Sequence, residues 1–236
     1  MAGADLDFAL GLADLADSIS LARFRSADLH VETKPDLTPV TDADRAVERA
    51  LRERIAAERP GDAVVGEEEG AEEGDVRWIV DPVDGTRNFS RGLPVWATLI
   101  ALERGGELTV GVVSAPALGR RWWAARGSGA FADGEPIRVS AVATLADASV
   151  SCSLGRDLAR VEPHVWHARG LGDFWQHVLV AEGALYAAVD TRLALWDSAA
   201  VELVVLEAGG RASVSGSGQF VTSNGLLHEE VLALLP

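Results

Sequence analysis

The chain has 236 residues, 48% of them apolar, and a formal net charge of −15 at pH 7. This length and apolar fraction are enough for one large core or for two lobes. The negative charge argues against a nucleic acid or an anionic membrane as partner. Charges interrupt every apolar run, so we expect no membrane-spanning segment. An anionic substrate would be repelled unless bound cations reversed the local field.

Cys152 is the only cysteine, which leaves no disulfide framework and no thiolate metal cluster. It lies in the apolar-flanked segment Ala148 to Leu154, where a buried and inert thiol is expected. The N-terminus has no basic region followed by an apolar stretch, so we predict no signal peptide and a cytoplasmic protein.

Two helices are predicted at the start of the chain. Apolar residues follow a helical period from Leu6 to Phe24. They then recur at every fourth position from Asp42 to Glu58, with Thr41 as the expected N-cap. Asp44, in the first turn of the second helix, either complements the helix dipole or reaches across a cleft to another loop.

The most informative stretch begins with Trp78 to Val80, which reads as the end of a buried strand. It leads to Asp81. Pro82 follows and has no N–H to donate to a neighbouring strand, which predicts that the strand ends in a tight turn. That turn would aim Asp81 and Asp84 at one point, with the Val83 carbonyl between them. Such an all-oxygen site suits a hard divalent cation such as Mg²⁺. The alternative is an Asp-Pro turn with an Asx cap and no metal.

An acidic run follows a short predicted strand, Asp62 to Val65. The run, Glu67 to Glu69, would ordinarily be a solvated face. Because it follows a buried strand and precedes the Asp81 strand by a short loop, Glu67 can instead lie over the same sheet edge as Asp81.

The middle of the chain predicts an antiparallel meander, with turns at glycine-rich positions. Its strands are expected at residues 95–102, 108–114 and 121–125, followed by a hairpin at 127–134 and an edge strand at 136–139.

A second lobe is predicted from about residue 140. Strands are expected at 148–154, 185–189, 211–214 and 219–222, and helices at 156–167, 174–182 and 228–235. Asp197 stands at the start of a further helix, rich in Ala, Val and Leu, that ends at Gly209-Gly210. Asp197 can act as a helix N-cap alone, or one carboxylate oxygen can serve the helix and the other a metal.

Rival catalytic sets find no support in the sequence. None of the five histidines has a metal-ligand spacing or lies beside an obvious nucleophile. A Ser-His-Asp hydrolase needs a nucleophile elbow, and no Gly-x-Ser-x-Gly motif opens a helix after a strand.

Three acidic segments together resemble the inositol-monophosphatase family of metal-dependent phosphatases. They are Gly66-Glu67-Glu68, Asp81-Pro82-Val83-Asp84-Gly85-Thr86, and Trp196 to Ala200 followed by Glu207 to Gly210. Within the family the chain is most similar to the bacterial histidinol-phosphate phosphatase branch. That similarity rests on Lys34-Pro35-Asp36 through Asp44, Asn88 to Thr98, Gly172 to Trp175 and Val180 to Gly183.

The resemblance covers nearly the whole chain and implies an α/β fold, a layered αβαβα sandwich. The N-terminal sheet is expected to be antiparallel, and the C-terminal sheet smaller and mixed. We expect a lobe at 1–139 carrying most metal ligands and a lobe at 140–236 contributing Asp197 and the substrate pocket.

The resemblance further implies two or three Mg²⁺ ions, with Mn²⁺ as a substitute, in one site. Their ligands would be Glu67, Asp81, the Val83 carbonyl, Asp84 and Asp197. Glu67 would also orient or deprotonate the attacking water. The Thr86 hydroxyl would hold that water and would itself be oriented by Asp44.

For the substrate, the resemblance implies that main-chain N–H groups of Gly85 and Thr86 bind the phosphate. Arg87 departs from the family pattern and adds a cation there. Acidic contacts from Asp173 and Asp190 would suit a substrate with a cationic end. Asp190 can instead simply end a strand. Asp84 and Asp197 are expected to contact the substrate as well as the metal.

The implied activity is hydrolysis of L-histidinol phosphate in histidine biosynthesis by a homodimer. Three alternatives remain open: an inositol-1-phosphate or broader phosphatase of the same family, a non-catalytic metal-binding regulatory protein, and an acidic α/β domain with no metal.

Overall fold

The protein is described by a computed structural model that covers residues 2–35, 37–191 and 193–236. Asp36, part of the segment that points to the histidinol-phosphate branch, lies outside these residues. The helices are α1 (Ala2–Arg23), α2 (Asp42–Glu58), α3 (Thr86–Ser90), α4 (Gly155–Val161), α5 (Asp173–Ala181), α6 (Leu195–Glu207) and α7 (His228–Leu234).

The strands form two sheets and one short hairpin. The hairpin joins β1 (Val31–Thr33) to β2 (Pro39–Thr41). The larger sheet contains β3 (Ala63–Gly66), β4 (Gly70–Ala71), β5 (Val76–Asp84), β6 (Ala97–Arg104), β7 (Glu107–Ala115), β8 (Arg120–Ala125), β9 (Ala130–Ala132) and β10 (Glu135–Ile137). The smaller sheet contains β11 (Ser149–Cys152), β12 (His167–Arg169), β13 (Ala187–Val189), β14 (Arg211–Val214) and β15 (Phe220–Ser223).

The larger sheet runs in the order β10-β9-β8-β7-β6-β5-β3-β4, and β3 lies parallel to β5 while the other neighbours are antiparallel. The smaller sheet has the order β12-β11-β13-β15-β14 and mixes parallel with antiparallel pairs. The largely antiparallel N-terminal sheet and the smaller mixed C-terminal sheet confirm the predicted architecture.

The layers follow from which face each apolar side chain buries. Along β5, Trp78 and Val80 pack with α1 and α2, whereas Ile79 packs with α6, as the two-residue period of a strand requires. Helices α5 and α6 fill the space between the two sheets. Helices α4 and α7 cover the far face of the smaller sheet. The result is the five-layer αβαβα order.

Two sequence predictions were wrong in detail. Pro82 does not end its strand: β5 continues to Asp84, and its register with β6 shifts between Asp81 and Asp84. Proline is tolerated at such a bulge because the ladder is already interrupted there. The predicted helix 156–167 ends as α4 at Val161, since Pro163 follows in a 3-10 turn, and β12 then occupies His167–Arg169.

Other elements agree with the prediction to within a few residues, including α1, α2, the meander β6 to β8, and α6. The division into lobes at residue 140 stays a prediction. One apolar core joins helices α5 and α6 to strands of both sheets, so the two parts share their packing. Within the described residues, no helix combines the length and the apolar character needed to cross a bilayer.

Candidate active site

The bulge at the end of β5 brings Asp81 and Asp84 together. Asp81 is opposite Leu99 and Asp84 is opposite Ala97, so three steps along β5 correspond to two along β6. The extra residue interrupts the two-residue alternation of the strand, and both carboxylates line the same cleft. The predicted convergence of Asp81 and Asp84 is therefore present, but a bulged strand produces it and not a tight turn.

Asp197 reaches this point from the other half of the chain. It is the third residue of α6, and its Oδ2 accepts a hydrogen bond from the N–H of Ala194, the N-cap, at 2.8 Å. Oxygen atoms of Asp81, Asp84 and Asp197 lie within 4.8 Å of one another. Asp197 is therefore not the N-cap that the sequence predicted, because α6 begins two residues earlier; its carboxylate still binds the N–H of the N-cap residue and joins the acidic group.

Glu67 lines the same cleft but is held by a cation of the chain itself. Lys34, in the loop between β1 and β2, donates to Glu67 Oε1 at 2.8 Å and to Glu68 Oε1 at 2.5 Å. The acidic run is therefore not a free solvated face. In this arrangement Glu67 lies outside the group of three aspartates that share one point.

Thr86 and Asp44 are neighbours, as the resemblance implied. Thr86 Oγ1 lies 3.2 Å from Asp44 Oδ1 and 2.9 Å from the Val83 carbonyl oxygen, two acceptors for one hydrogen. Asp44 is fully buried, and its Oδ2 accepts from the N–H and the hydroxyl of Thr41. This capping box at the start of α2 confirms Thr41 as the N-cap and fixes Asp44 on the cleft side.

Gly85 makes the turn from β5 into α3 possible. Its φ is +83°, a conformation that glycine adopts without strain. A Cβ there would also lie 3.1 Å from the Val95 carbonyl oxygen. Gly85, Thr86 and the exposed Arg87 all line the cleft, where the sequence places the phosphate contacts.

Asp173 and Asp190 lie on the opposite wall. Asp173, the first residue of α5, has a φ of +50° and accepts from Asn88 Nδ2 at 3.2 Å. Asp190, just after β13, accepts from Gln176 Nε2 at 2.8 Å and from the Thr191 N–H at 2.7 Å. His177 Nε2 lies 3.7 Å from Asp190 Oδ2, a distance for charge attraction but not for a hydrogen bond.

The cleft has a volume of about 420 Å³. Its acidic lining residues are Glu67, Asp81, Asp84, Asp173, Asp190 and Asp197. The same wall extends past Phe174, His177 and Trp196 into an adjoining space of about 470 Å³. All the positions proposed from the sequence line these two spaces, except Asp44, which lies behind Thr86.

Crowding of carboxylates changes their proton affinities. Burial, and then repulsion from Glu67, raises the pKa of Asp81 well above its usual range. Burial, and then repulsion from Asp173, does the same for the pKa of Asp84. Burial raises the pKa of Asp197 and of Asp173 to about 6. Burial would raise the pKa of Asp190 too, but contacts with His177, Ser153 and the Thr191 N–H together outweigh it, and the pKa is lowered.

These side chains fit a divalent cation. The donors are all oxygen, which hard cations such as Mg²⁺ prefer. Burial first, and repulsion between neighbouring carboxylates second, raise the pKa values of Asp81 and Asp84, and a bound cation would offset both. The Val83 carbonyl, also expected to be a ligand, lines the cleft and accepts from Thr86.

Comparison with known proteins agrees with this geometry. The sequence profile described as the inositol monophosphatase family matches residues 5–232. The chain belongs to the inositol monophosphatase family. As a member of it, the chain is a phosphatase of small phosphate monoesters, in a family that depends on metal ions.

The relatives include proteins named as histidinol-phosphatases and as inositol monophosphatases. A histidinol-phosphatase of Mycobacterium tuberculosis is 51% identical over 98% of this chain and 97% of its own. A fructose-1,6-bisphosphatase/inositol-1-monophosphatase of Thermotoga maritima is 36% identical over 98% and 95%. Among solved structures, an IMPase of Thermotoga maritima superposes with a TM-score of 0.91 at 34% identity, covering 98% of this chain and 96% of its own.

Lys34, Asn88 and Gln176 belong to the site although no catalytic or binding role was predicted for them. Each is a polar residue that contacts a proposed site carboxylate: Glu67, Asp173 and Asp190 respectively. The sequence separations are 33, 85 and 14 residues. Lys34 and Asn88 lie within segments that resemble the histidinol-phosphate branch, and that was the available signal.

Proposed function

We propose that this protein is a Mg²⁺-dependent phosphomonoesterase that hydrolyses L-histidinol phosphate to L-histidinol and phosphate. The observation that carries the proposal is the convergence of Asp81, Asp84 and Asp197 in one cleft beside Thr86 and Asp44. The choice of substrate is supported by the 51% identity to a relative named histidinol-phosphatase.

The metal would be held by Asp81, Asp84, Asp197, the Val83 carbonyl and Glu67. Bound Mg²⁺ supplies Lewis-acid chemistry, since it stabilises negative charge on phosphoryl oxygens and lowers the pKa of a water molecule. In a protein with a net charge of −15, cations at this point also let a phosphate approach the acidic cleft. Because Lys34 binds Glu67 Oε1, the oxygen that would serve the metal is Oε2.

Thr86 and Asp44 would orient the attacking water. When Asp44 Oδ1 accepts the hydroxyl hydrogen of Thr86, the Thr86 oxygen keeps a lone pair that can accept a hydrogen from water in the cleft. The buried capping box holds Asp44 in place for this role. Such positioned hydrogen-bonding and proton-transfer groups typically contribute about 10²- to 10⁴-fold to a rate.

The cationic end of the substrate would face Asp190 and Asp173. The lowered pKa of Asp190 means that this carboxylate is ionised at neutral pH, as recognition of an ammonium group requires. Arg87, exposed at the mouth of the cleft, would attract the phosphate end. The two ends of the proposed substrate therefore meet opposite charges in the same cleft.

A phosphate-release assay tests the proposal directly. The substrates are L-histidinol phosphate, inositol 1-phosphate and p-nitrophenyl phosphate, each with Mg²⁺ and with EDTA. We expect the highest kcat/KM for L-histidinol phosphate and no release with EDTA. A clear preference for inositol 1-phosphate would favour the second candidate function, which the relative named fructose-1,6-bisphosphatase/inositol-1-monophosphatase supports.

The Asp84→Asn variant separates an enzyme from a non-catalytic metal-binding protein. The amide keeps the size of the side chain but removes its charge and one acceptor oxygen. If catalysis depends on this ligand, the variant loses turnover while it remains folded. Full activity in Asp84→Asn would contradict the proposed metal site.

We also propose that the enzyme acts in the cytoplasm as a homodimer. The dimer is supported by the family resemblance, and the cytoplasmic location by a cysteine content of one, which is too low for a disulfide framework. Size-exclusion chromatography with light scattering gives the mass of the protein in solution. A value near the chain mass of 24.9 kDa would contradict the dimer.

A further inference from the structure

Glu48 is a carboxylate buried behind the site, with no contact to the cleft. It lies on α2 and is 0% exposed. Its Oε2 accepts from the main-chain N–H of Glu68 at 2.7 Å, and its Oε1 from the main-chain N–H of Glu69 at 2.9 Å. A single side chain therefore satisfies two consecutive backbone donors in the turn that follows β3.

Gly66 explains why β3 can pass so close to this carboxylate. A Cβ at Gly66 would lie 2.1 Å from Glu48 Oε1 and 2.4 Å from its carboxyl carbon. No φ in the left-handed region is involved, so the glycine is needed for space and not for its backbone freedom. Glu48 thus contacts the chain on both sides of Glu67. It packs against Gly66, and it accepts hydrogen bonds from the N–H groups of Glu68 and Glu69.

Arg52 makes the buried charge tolerable. Arg52 lies one turn after Glu48 on α2, and its Nε donates to Glu48 Oε1 at 3.0 Å. Its Nη2 donates to the carbonyl oxygen of Gly70, at the start of β4. Desolvation of a lone carboxylate would be strongly unfavourable, but two N–H donors and a guanidinium offset it. Glu48 and Arg52 together fasten the β3–β4 turn to α2 at both ends.

We propose that Glu48 is a positioning residue for the metal site: it fixes the turn so that the Glu67 carboxylate projects into the cleft. Glu67 is flanked by Gly66, which packs on Glu48, and by Glu68, whose N–H is bound to it. Partners that orient a metal ligand from behind typically change metal affinity about 10- to 100-fold when they are lost. The inference rests on the proposed metal site but not on the identity of the substrate.

The test is calorimetric titration of Mn²⁺ into the intact chain. In Glu48→Gln the amide group can accept only one of the two backbone hydrogen bonds, and its NH₂ faces the other N–H. Glu53→Gln is the matched control, since it makes the same chemical change at an exposed position on the same helix. Ile55→Val, which removes one buried methylene from α2, serves as the comparison for general destabilisation.

We expect Glu48→Gln to raise the Kd for Mn²⁺ at least tenfold, with Glu53→Gln and Ile55→Val within twofold of the parent. If Glu48→Gln does not fold, Gly66→Ala is measured instead, because its methyl group displaces the Glu48 carboxylate and should weaken Mn²⁺ binding in the same way. A lowered melting temperature with unchanged Mn²⁺ affinity in the folded variant would overturn the proposal. Absence of Mn²⁺ binding by the parent would instead overturn the metal site itself.

Discussion

Thr86 Oγ1 lies 3.2 Å from Asp44 Oδ1, although 42 residues separate the two in sequence. One residue opens the short helix after the bulged strand, and the other lies in the first turn of α2. Burial raises the pKa of Asp44, while the hydrogen bonds from Thr41 act in the opposite direction. The carboxylate is thus held by Thr41 on one side and presents its other oxygen to the Thr86 hydroxyl.

Replacing Thr86 tests whether this pair acts on the water. We expect Thr86→Ala to lower kcat by roughly 10²-fold or more and to leave KM nearly unchanged, because a positioned hydroxyl is lost but no ligand of the substrate. Thr86→Ser keeps the hydroxyl and should retain most of the activity. Steady-state kinetics on the two variants makes the comparison, and an active Thr86→Ala enzyme would remove Thr86 from the mechanism.

Asp190→Asn tests recognition of the cationic end of the substrate. The amide keeps the side-chain shape but loses the charge that the lowered pKa of Asp190 maintains at neutral pH. We expect KM for L-histidinol phosphate to rise about tenfold, the effect of roughly 1.4 kcal/mol. KM for p-nitrophenyl phosphate, which has no ammonium group, should stay within about twofold. Equal effects on both substrates would show that Asp190 supports the fold of the cleft and does not select the substrate.

Two glycine substitutions with opposite expected signs test the packing that places α6. A Cβ at Gly111 on β7 would lie 2.8 Å from the carbonyl oxygen of Ala200 on α6, whereas a Cβ at Gly11 on α1 meets nothing within 4 Å. We expect Gly111→Ala to lower the free energy of unfolding by about 1–3 kcal/mol. Gly11→Ala, in a helix interior, should raise it by about 0.5–1 kcal/mol. Urea denaturation of both variants measures the difference.

Because α6 carries Asp197 in its first turn, displacement of α6 in Gly111→Ala should also weaken metal binding. Gly11 lies on the other side of the large sheet from α6, so Gly11→Ala should leave the metal affinity unchanged. Stability changes of the same sign in the two variants would contradict the close contact between β7 and α6.

His228 predicts how stability responds to acid. The ring is fully buried, with Ser223 Oγ 2.8 Å from Nδ1 and Ser213 Oγ 2.7 Å from Nε2. Burial, and then the nearby charge of Arg211, lowers the pKa of His228 below 6.5. A lowered folded-state pKa means that the neutral ring stabilises the fold above the unfolded-state pKa. This stability is lost as the pH falls through the folded-state pKa.

We therefore expect the free energy of unfolding to fall as the pH drops below about 6.5, and to fall less steeply in His228→Gln. Glutamine can hydrogen-bond to both serines but does not titrate. Denaturation at a series of pH values compares the two proteins. Identical pH slopes would show that His228 does not contribute.

The local patterns in the sequence predicted most of the framework, because helical and strand periods record which face each element buries. They failed where a distant partner decides the outcome. Pro82 suggested a turn, but β5 pairs with β6 on both sides of Pro82, and the strand continues to Asp84 with a bulge. The place of Glu67 over the sheet edge was expected, but the contacts that hold its turn were not: Lys34 lies 33 residues from Glu67, and Glu48 lies 20 and 21 residues from Glu68 and Glu69.

The ligand set was predicted from the family resemblance, and the structure brings together three of its carboxylates at one point and Glu67 at the edge of the same cleft. Periodicity could not have supplied this, because Asp197 lies more than a hundred residues beyond Asp84. Asp197 also illustrates how two roles can share one side chain. Its bond to the Ala194 N–H suits the helix, and that bond leaves its other oxygen for a ligand.

The central claim is that Asp81, Asp84 and Asp197 coordinate cations, and that the phosphoryl group of the substrate binds to these cations. The most direct measurement is anomalous X-ray diffraction from crystals of the protein grown with Mn²⁺. We predict anomalous peaks in contact with the carboxylates of all three aspartates. Peaks confined to other parts of the molecule, or none at saturating Mn²⁺, would contradict it.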